Sequence, residues 1–171
     1  MTLYTRMHSP LGSLLVIGTE QHVTGIYIQA QKYHPEPGVR WIRADDRFSE
    51  ERSQLDQYFA GRRRRFDIAI RPAGTTFQRD VWSALARIPF GTTTTYGEIA
   101  RRIGRPDAPR AVGAAVGRNP ISIVIPCHRV VGADGSLTGF AGGIRNKRLL
   151  LNLESGADSV PLLGVGQLVD L

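Results

Sequence analysis

The sequence predicts an α+β chain, a small β-meander with one helix followed by a mostly helical half. Three observations carry this. Residues 2–30 hold short apolar or alternating runs separated by turn signals. From Thr75 onward apolar residues recur at spacings of three and four, the period of a helix face. Between the two regimes stands Arg71-Pro72-Ala73-Gly74, the best linker candidate. It divides the chain into expected domains at 1–72 and 75–155, with a tail at 156–171.

Taken in order, Leu3-Tyr4-Thr5-Arg6-Met7 is a strand candidate, ended by the turn Ser9-Pro10-Leu11-Gly12. Residues 14–17 and 23–28 supply two more strands. Pro35, Pro37 and Gly38 make 31–46 a loop. A helix is expected over 49–60, with Leu55, Tyr58 and Phe59 on one face and Gly61 as its stop. Arg62-Arg63-Arg64-Arg65 reads as a solvated turn more readily than as a nucleic-acid patch, and 66–70 alternates like an edge strand.

In the second half, Thr75-Thr76 can cap a helix whose face is Phe77, Val81, Trp82, Leu85 and Ile88, ending at Pro89. Thr95 and Glu98 form a capping-box pattern for a short helix through Ile103, and Gly104 stops it. Asp107 can cap the next helix, with Pro109 in its first turn. The pair makes a helix-turn-helix candidate. Its second helix is built from Ala, Val and Gly and offers few donors for base edges. Ala111, Gly113, Ala114 and Gly117 instead permit close approach, which suits sequence-indifferent docking in a minor groove; tight packing against the protein is the alternative. The loop over 132–143 holds five glycines without a phosphate-loop or dinucleotide pattern, and reads as a pocket wall. A last helix is expected over 144–154.

Bulk properties narrow the function. No apolar run reaches the roughly 18 residues that a membrane helix needs. Residues 1–10 lack a basic-then-apolar export pattern, and a lone cysteine fits a reducing compartment, so a cytoplasmic location is expected. The net charge is +7, and all but Lys32 and Lys147 of the 22 basic residues are arginine. Arginine pairs bidentately with phosphate, which points to nucleic acid, although a GC-rich genome explains the arginine preference equally well. The histidines His8, His22, His34 and His128 are scattered and no second cysteine exists. Neither a metal site nor a cofactor is expected.

The one cysteine stands in Ile125-Pro126-Cys127-His128-Arg129. His128 is able to take its proton, and the charge of Arg129 favours a thiolate. An unperturbed thiol is only about 3% ionised at pH 7, so this setting bears on reactivity. A small buried hydrophobe closing the apolar run 121–125 is the plainer reading. The flanking Pro, His and Arg, with Asn119-Pro120 upstream, turn the balance toward a nucleophile.

Pro126-Cys127-His128-Arg129-Val130, with Asn119-Pro120 before it and the glycine-rich loop after it, resembles the O6-alkylguanine-DNA alkyltransferases. Tyr96-Gly97, Arg110-Ala111-Val112-Gly113 and Glu154 fall in the same order. The resemblance is strong over 75–155 and in outline over 1–74. It implies a ribonuclease H-like N-terminal domain and a winged-helix-like C-terminal one. It also implies direct DNA repair: a single, irreversible transfer of an alkyl group from O6-alkylguanine in double-stranded DNA to Cys127. O4-alkylthymine is a further candidate substrate, and the protein is expected as a monomer, a candidate for clustering on DNA.

The resemblance further assigns roles. His128 takes the thiol proton through a water, Glu154 hydrogen-bonds His128 and favours its protonated form, and Asn119 holds the turn before Cys127. Tyr96 donates to the base, which leaves the duplex, and Arg110 fills the vacated stack. The main chain at Gly97 and Ala133, and the Arg105 side chain, meet phosphates. Val130, Leu137, Phe140 and Ala141 line the pocket, with carbonyls of Cys127 and Val130 facing the guanine 2-amino group. Phe140 and Ala141 stand where some relatives have Tyr and Ser, and cysteines that hold zinc in some relatives are missing. The competing classes are a cysteine hydrolase using Cys127, His128 and Glu154, a non-catalytic DNA-binding module, and a transcriptional regulator.

Overall fold

The computed structural model describes residues 1–156. Three strands, β1 (Leu3–Met7), β2 (Leu14–Gly18) and β3 (Val23–Ile28), form an antiparallel meander. The middle strand β2 is buried along its whole length, whereas β1 buries alternate residues. Two differences from the expected elements appear here. Ile42–Arg43, inside the expected loop, pairs parallel with β1 as β4, giving the order β3-β2-β1-β4. The alternating segment 66–70 is not a strand. It places Phe66, Ile68 and Ile70 against the core and meets β3 through one bridge at Val23 and Ile70. Alternation there serves packing without a ladder.

Helix α1 (Ser49–Phe59) lays Leu55, Tyr58 and Phe59 into the core, and Gly61 follows it at φ +74°. The Arg62–Arg65 run is largely exposed, with Arg63 turned back onto Gln57 and the Arg65 carbonyl. The segment before the second half is tied to the sheet, since the Arg71 N–H donates to the Val23 carbonyl at 2.8 Å. Gly74 is required there: a Cβ would stand 2.5 Å from the Trp82 ring.

Helix α2 (Thr76–Ala86) opens on a complete capping box between Thr75 and Gln78. Its Trp82 Nε1 donates to the Ala115 carbonyl at 2.8 Å, clamping α2 to α4 (Pro109–Gly117). Between them runs α3 (Tyr96–Arg102), capped by Thr95. Glu98 does not return the hydrogen bond of a capping box; it pairs with Arg101 and Arg102 instead. Asp107 is not a cap either, because the N-cap of α4 is Ala108 and no side chain caps the helix. Short strands β5 (Thr94–Thr95) and β6 (Val130–Val131) pair in parallel, and α5 (Ile144–Glu154) closes the described chain. One continuous apolar cluster runs from β1 to α5. The expected tail at 156–171 lies, but for Gly156, outside the described residues.

Candidate active site

The thiol is positioned by an edge of the N-terminal sheet. After α4 the chain turns at Asn119, whose Oδ1 accepts from the Ile121 N–H at 3.0 Å and whose Nδ2 donates to the Ile125 carbonyl at 2.8 Å. The enclosed segment docks on β3: Ile26 N–H donates to the Pro120 carbonyl, and Ser122 N–H to the Ile26 carbonyl. Ile123 then adopts φ +76°, a left-handed conformation that a β-branched residue rarely takes. Buried packing on both sides holds it there. The turn delivers Cys127-His128-Arg129 as one turn of 3-10 helix, all three residues buried.

Beneath them Glu154, at the end of α5, gathers four donor atoms. Its Oε1 accepts from His128 Nε2 at 2.7 Å, Arg129 Nη2 at 2.8 Å and the Tyr58 hydroxyl at 2.7 Å; Oε2 accepts from Arg129 Nε at 2.8 Å. Burial alone raises this carboxyl, but the hydrogen bonds from His128, Arg129 and Tyr58 outweigh it and hold the group at about 2. It is therefore an anion at neutral pH. For His128 burial wins: it lowers the imidazole pKa against the raising effect of Glu154. Glu154 does favour the protonated form, as expected, but burial opposes it and is the larger effect. A neutral ring facing a carboxylate carries its hydrogen on Nε2, which leaves the Nδ1 lone pair free. Nδ1 is buried without a hydrogen-bond partner among the described residues.

The thiol differs in the same way from the expectation. Burial raises the Cys127 pKa, opposed by the Asn119 amide and the charge of Lys147, so the resting sulfur is a thiol. Arg129 is not the cation that acts on it, being committed to Glu154 and, through Nη1 at 2.6 Å, to the Ile88 carbonyl. Lys147, fully buried on α5, takes that place, with Nζ bound to the carbonyls of Val130 at 2.5 Å and Thr138 at 3.0 Å.

Cys127, His128, Glu154 and Asn119 thus come together, and Tyr96 lies at their edge. Its hydroxyl donates to the Thr138 carbonyl at 2.9 Å and lies beside Gly139 of the glycine loop, and its ring sits beside Gly113 of α4. The Val130 carbonyl already receives Lys147, and the Cys127 carbonyl receives the Val130 N–H. Leu137 is half-buried. Phe140 and Ala141 line a groove of about 730 Å³ that also runs along Ala111, Gly113, Ala114 and Gly117. Helix α4 packs Val112, Ala115 and Val116 inward, while Arg110, Ala111 and Ala114 are exposed and Gly113 and Gly117 half-buried, so its small-residue face is not used up by packing against the protein. Arg105 and Ala133 are exposed and Gly97 is half-buried; these three and Arg110 do not join the buried cluster. Among the described residues no group of three or more His, Cys, Asp or Glu is placed to hold a metal.

Comparison with known proteins adds to this geometry. The family model described as "6-O-methylguanine DNA methyltransferase, DNA binding domain" matches residues 76–156, and its "ribonuclease-like domain" counterpart matches residues 2–72. A methylated-DNA–protein-cysteine methyltransferase of Methanosarcina acetivorans is 47% identical over 151 residues, covering 88% of this chain and 97% of the relative. The chain belongs to the 6-O-methylguanine DNA methyltransferase family. Another methyltransferase of the family, from Mycobacterium leprae, is 48% identical over 148 residues, covering 86% of this chain and 89% of the relative. The crystal structure of Mycobacterium tuberculosis OGT in complex with DNA matches at TM-score 0.85 and 46% identity, over 90% of this chain and 92% of that one. The mixed fold, a sheet domain before a helical one, is that of this methyltransferase family. Tyr58 and Lys147 were not singled out as functional from sequence. Lys147 carries one weak signal, a charge on the inner face of α5 in line with Leu150 and Glu154.

Proposed function

We propose that this chain repairs DNA by transferring an alkyl group, once, from guanine O6 in double-stranded DNA to its own Cys127 Sγ. The observation that carries the reading is the buried relay beside the only thiol: ionised Glu154, neutral His128 with its hydrogen on Nε2, and a free Nδ1. The thiol proton passes through a water to His128 Nδ1, since adjacent side chains diverge, and Glu154 steadies the imidazolium that forms. Sulfur attacks the alkyl carbon opposite O6, the C–O6 bond breaks, and its electron pair stays with guanine. Guanine takes up one proton in exchange for the one sulfur lost. Tyr96 delivers it, turning its hydroxyl from the Thr138 carbonyl to the base, and regains a proton from solvent as His128 releases to solvent the one taken from sulfur, so both end neutral. The thioether has no leaving step, so each molecule acts once.

Docking follows from the surface. The small-residue face of α4 and the groove beside it accept a backbone closely, and Arg105 with the main chain at Gly97 and Ala133 meets phosphates. The base leaves the stack to reach the site between Tyr96 and the loop over 139–141, and Arg110 fills its place. Val130, Leu137, Phe140 and Ala141 wall that site. We place the reaction in the cytoplasm, where a lone thiol stays reduced; no described helix is long and apolar enough to cross a membrane.

The test is the intact mass of the protein after mixing with DNA that contains O6-methylguanine. A gain of one CH2, mapped to Cys127, is expected, with none in Cys127→Ser although that variant still binds DNA. Stoichiometric demethylation by Cys127→Ser refutes the reading, and so does catalytic turnover at unchanged mass, the behaviour of a hydrolase.

A further inference from the structure

Glu154 Oε1 carries more donors than the relay needs. A carboxylate oxygen has two lone pairs, yet His128 Nε2, Arg129 Nη2 and the Tyr58 hydroxyl all reach this one atom at 2.7–2.8 Å. Arg129 and His128 belong to the same turn as the thiol. Tyr58 does not: it comes from α1, 96 residues away in sequence, across the core from the N-terminal half.

We propose that Tyr58 is a positioning residue for the transfer: by donating to Glu154 Oε1, helix α1 fixes the carboxylate and sets how strongly it draws on the His128 hydrogen. The inference rests on the proposed alkyl transfer.

Three observations support it. Tyr58 is 1% exposed, and its ring is pinned by Phe59, Phe66 and Phe90 at centroid distances of 5.4, 5.2 and 6.3 Å, so the hydroxyl has one direction in which to point. Burial, reinforced by the charge of Glu154, pushes the phenol pKa well up, so the hydroxyl stays a donor. Donors on one oxygen compete, each reducing the negative charge that the others meet. Loss of the Tyr58 hydroxyl leaves Oε1 to His128 and Arg129 alone. The carboxylate becomes more basic, the imidazolium is better stabilised, and the His128 pKa rises. The charged and titratable groups that face His128 are otherwise unchanged: Glu154 and Lys147 on α5, with Arg129 and Cys127 on its own turn.

The experiment is the single-turnover rate of alkylation by free O6-benzylguanine as a function of pH, together with the NMR titration of the His128 ring. In Tyr58→Phe the ring packing is kept and only the oxygen is removed. The acid limb of the rate profile and the His128 titration should both move to higher pH, by about one unit, the size of one hydrogen bond to a charged group. A second protein carrying 3-fluorotyrosine at position 58 has a more acidic, stronger donor, and both should move to lower pH. It also serves if the Phe variant does not fold. Unchanged profiles and titrations in the folded variants would make Tyr58 a packing residue and overturn the inference. Failure of the unmodified protein to be benzylated at Cys127 would instead sink the proposed function.

Discussion

Glu154→Gln removes one charge and almost no volume, and its cost follows from the hydrogen bonds that converge there. A carboxyl held at about 2 against an ordinary 4.5 corresponds, at about 1.4 kcal/mol per pH unit, to about 3 to 4 kcal/mol of folding stability at neutral pH. The variant also strands the Arg129 guanidinium, 6% exposed, with an amide that turns an N–H toward it. Breaking a buried pair from one side costs about 3 to 5 kcal/mol. With a urea m-value of about 2 kcal/mol/M, the midpoint at pH 7 should fall by about 1.5 to 2.5 M. The pH dependence checks the cause. Because the folded pKa is depressed, the Glu154 contribution is complete above about 4.5 and is lost as pH falls toward about 2. His128, also depressed, adds a loss that begins below its ordinary value of 6.5, where the unfolded chain takes up the proton first. The Gln variant should lose the Glu154 contribution below about pH 4.5 and, without the carboxylate that raises His128, extend the His128 loss to lower pH. A midpoint within about 0.5 M of the unmodified protein, or an identical acid limb, would show that the carboxylate is solvated in solution and would refute this reasoning.

Two further outcomes concern DNA. Arg110 is exposed at the first turn of α4. Arg110→Ala should therefore slow reaction with O6-methylguanine in duplex DNA by about tenfold or more, ~1.4 kcal/mol, while reaction with free O6-benzylguanine is unchanged; equal losses on both substrates would make the arginine structural. Binding to unmodified duplexes should fall steeply with salt, each phosphate contact adding about 0.9 to the log–log slope, and Arg105→Ala should remove about one contact. A preference above about a hundredfold for one sequence, ~2.7 kcal/mol, would mean that α4 reads bases after all.

The elements legible in the sequence were those whose cause is local. The meander shows in alternation and turns, α2 in Thr75 and its apolar face, and Cys127-His128 in its neighbours. What was not legible depends on partners far along the chain. Ile42, 48% exposed, gives β4 no apolar signature, and only β1 beside it makes it a strand. Phe66, Ile68 and Ile70 alternate as a strand does, but the space beside β3 permits one bridge. The resting protonation of His128 and Cys127 is not legible either, because sequence shows the charges nearby and not the burial that outweighs them. Lys147 and Arg129 are cations of kinds seldom buried, and the carbonyls and carboxylate that receive them are set by the fold.

The sheltered state of the sulfur has a consequence for a reagent that is used once. A thiolate at the surface would be consumed by whichever electrophile arrived first. Cys127 is 4% exposed and kept protonated by its burial, so its nucleophilicity is latent. In the proposed mechanism only a ligand that enters the site and aligns its carbon with the sulfur draws on the His128 lone pair, through the bridging water, at the same moment. Discrimination against stray alkylating agents and oxidants is in this way achieved by withholding reactivity, and the selectivity for a lesion resides as much in the resting state of the protein as in its contacts with the base.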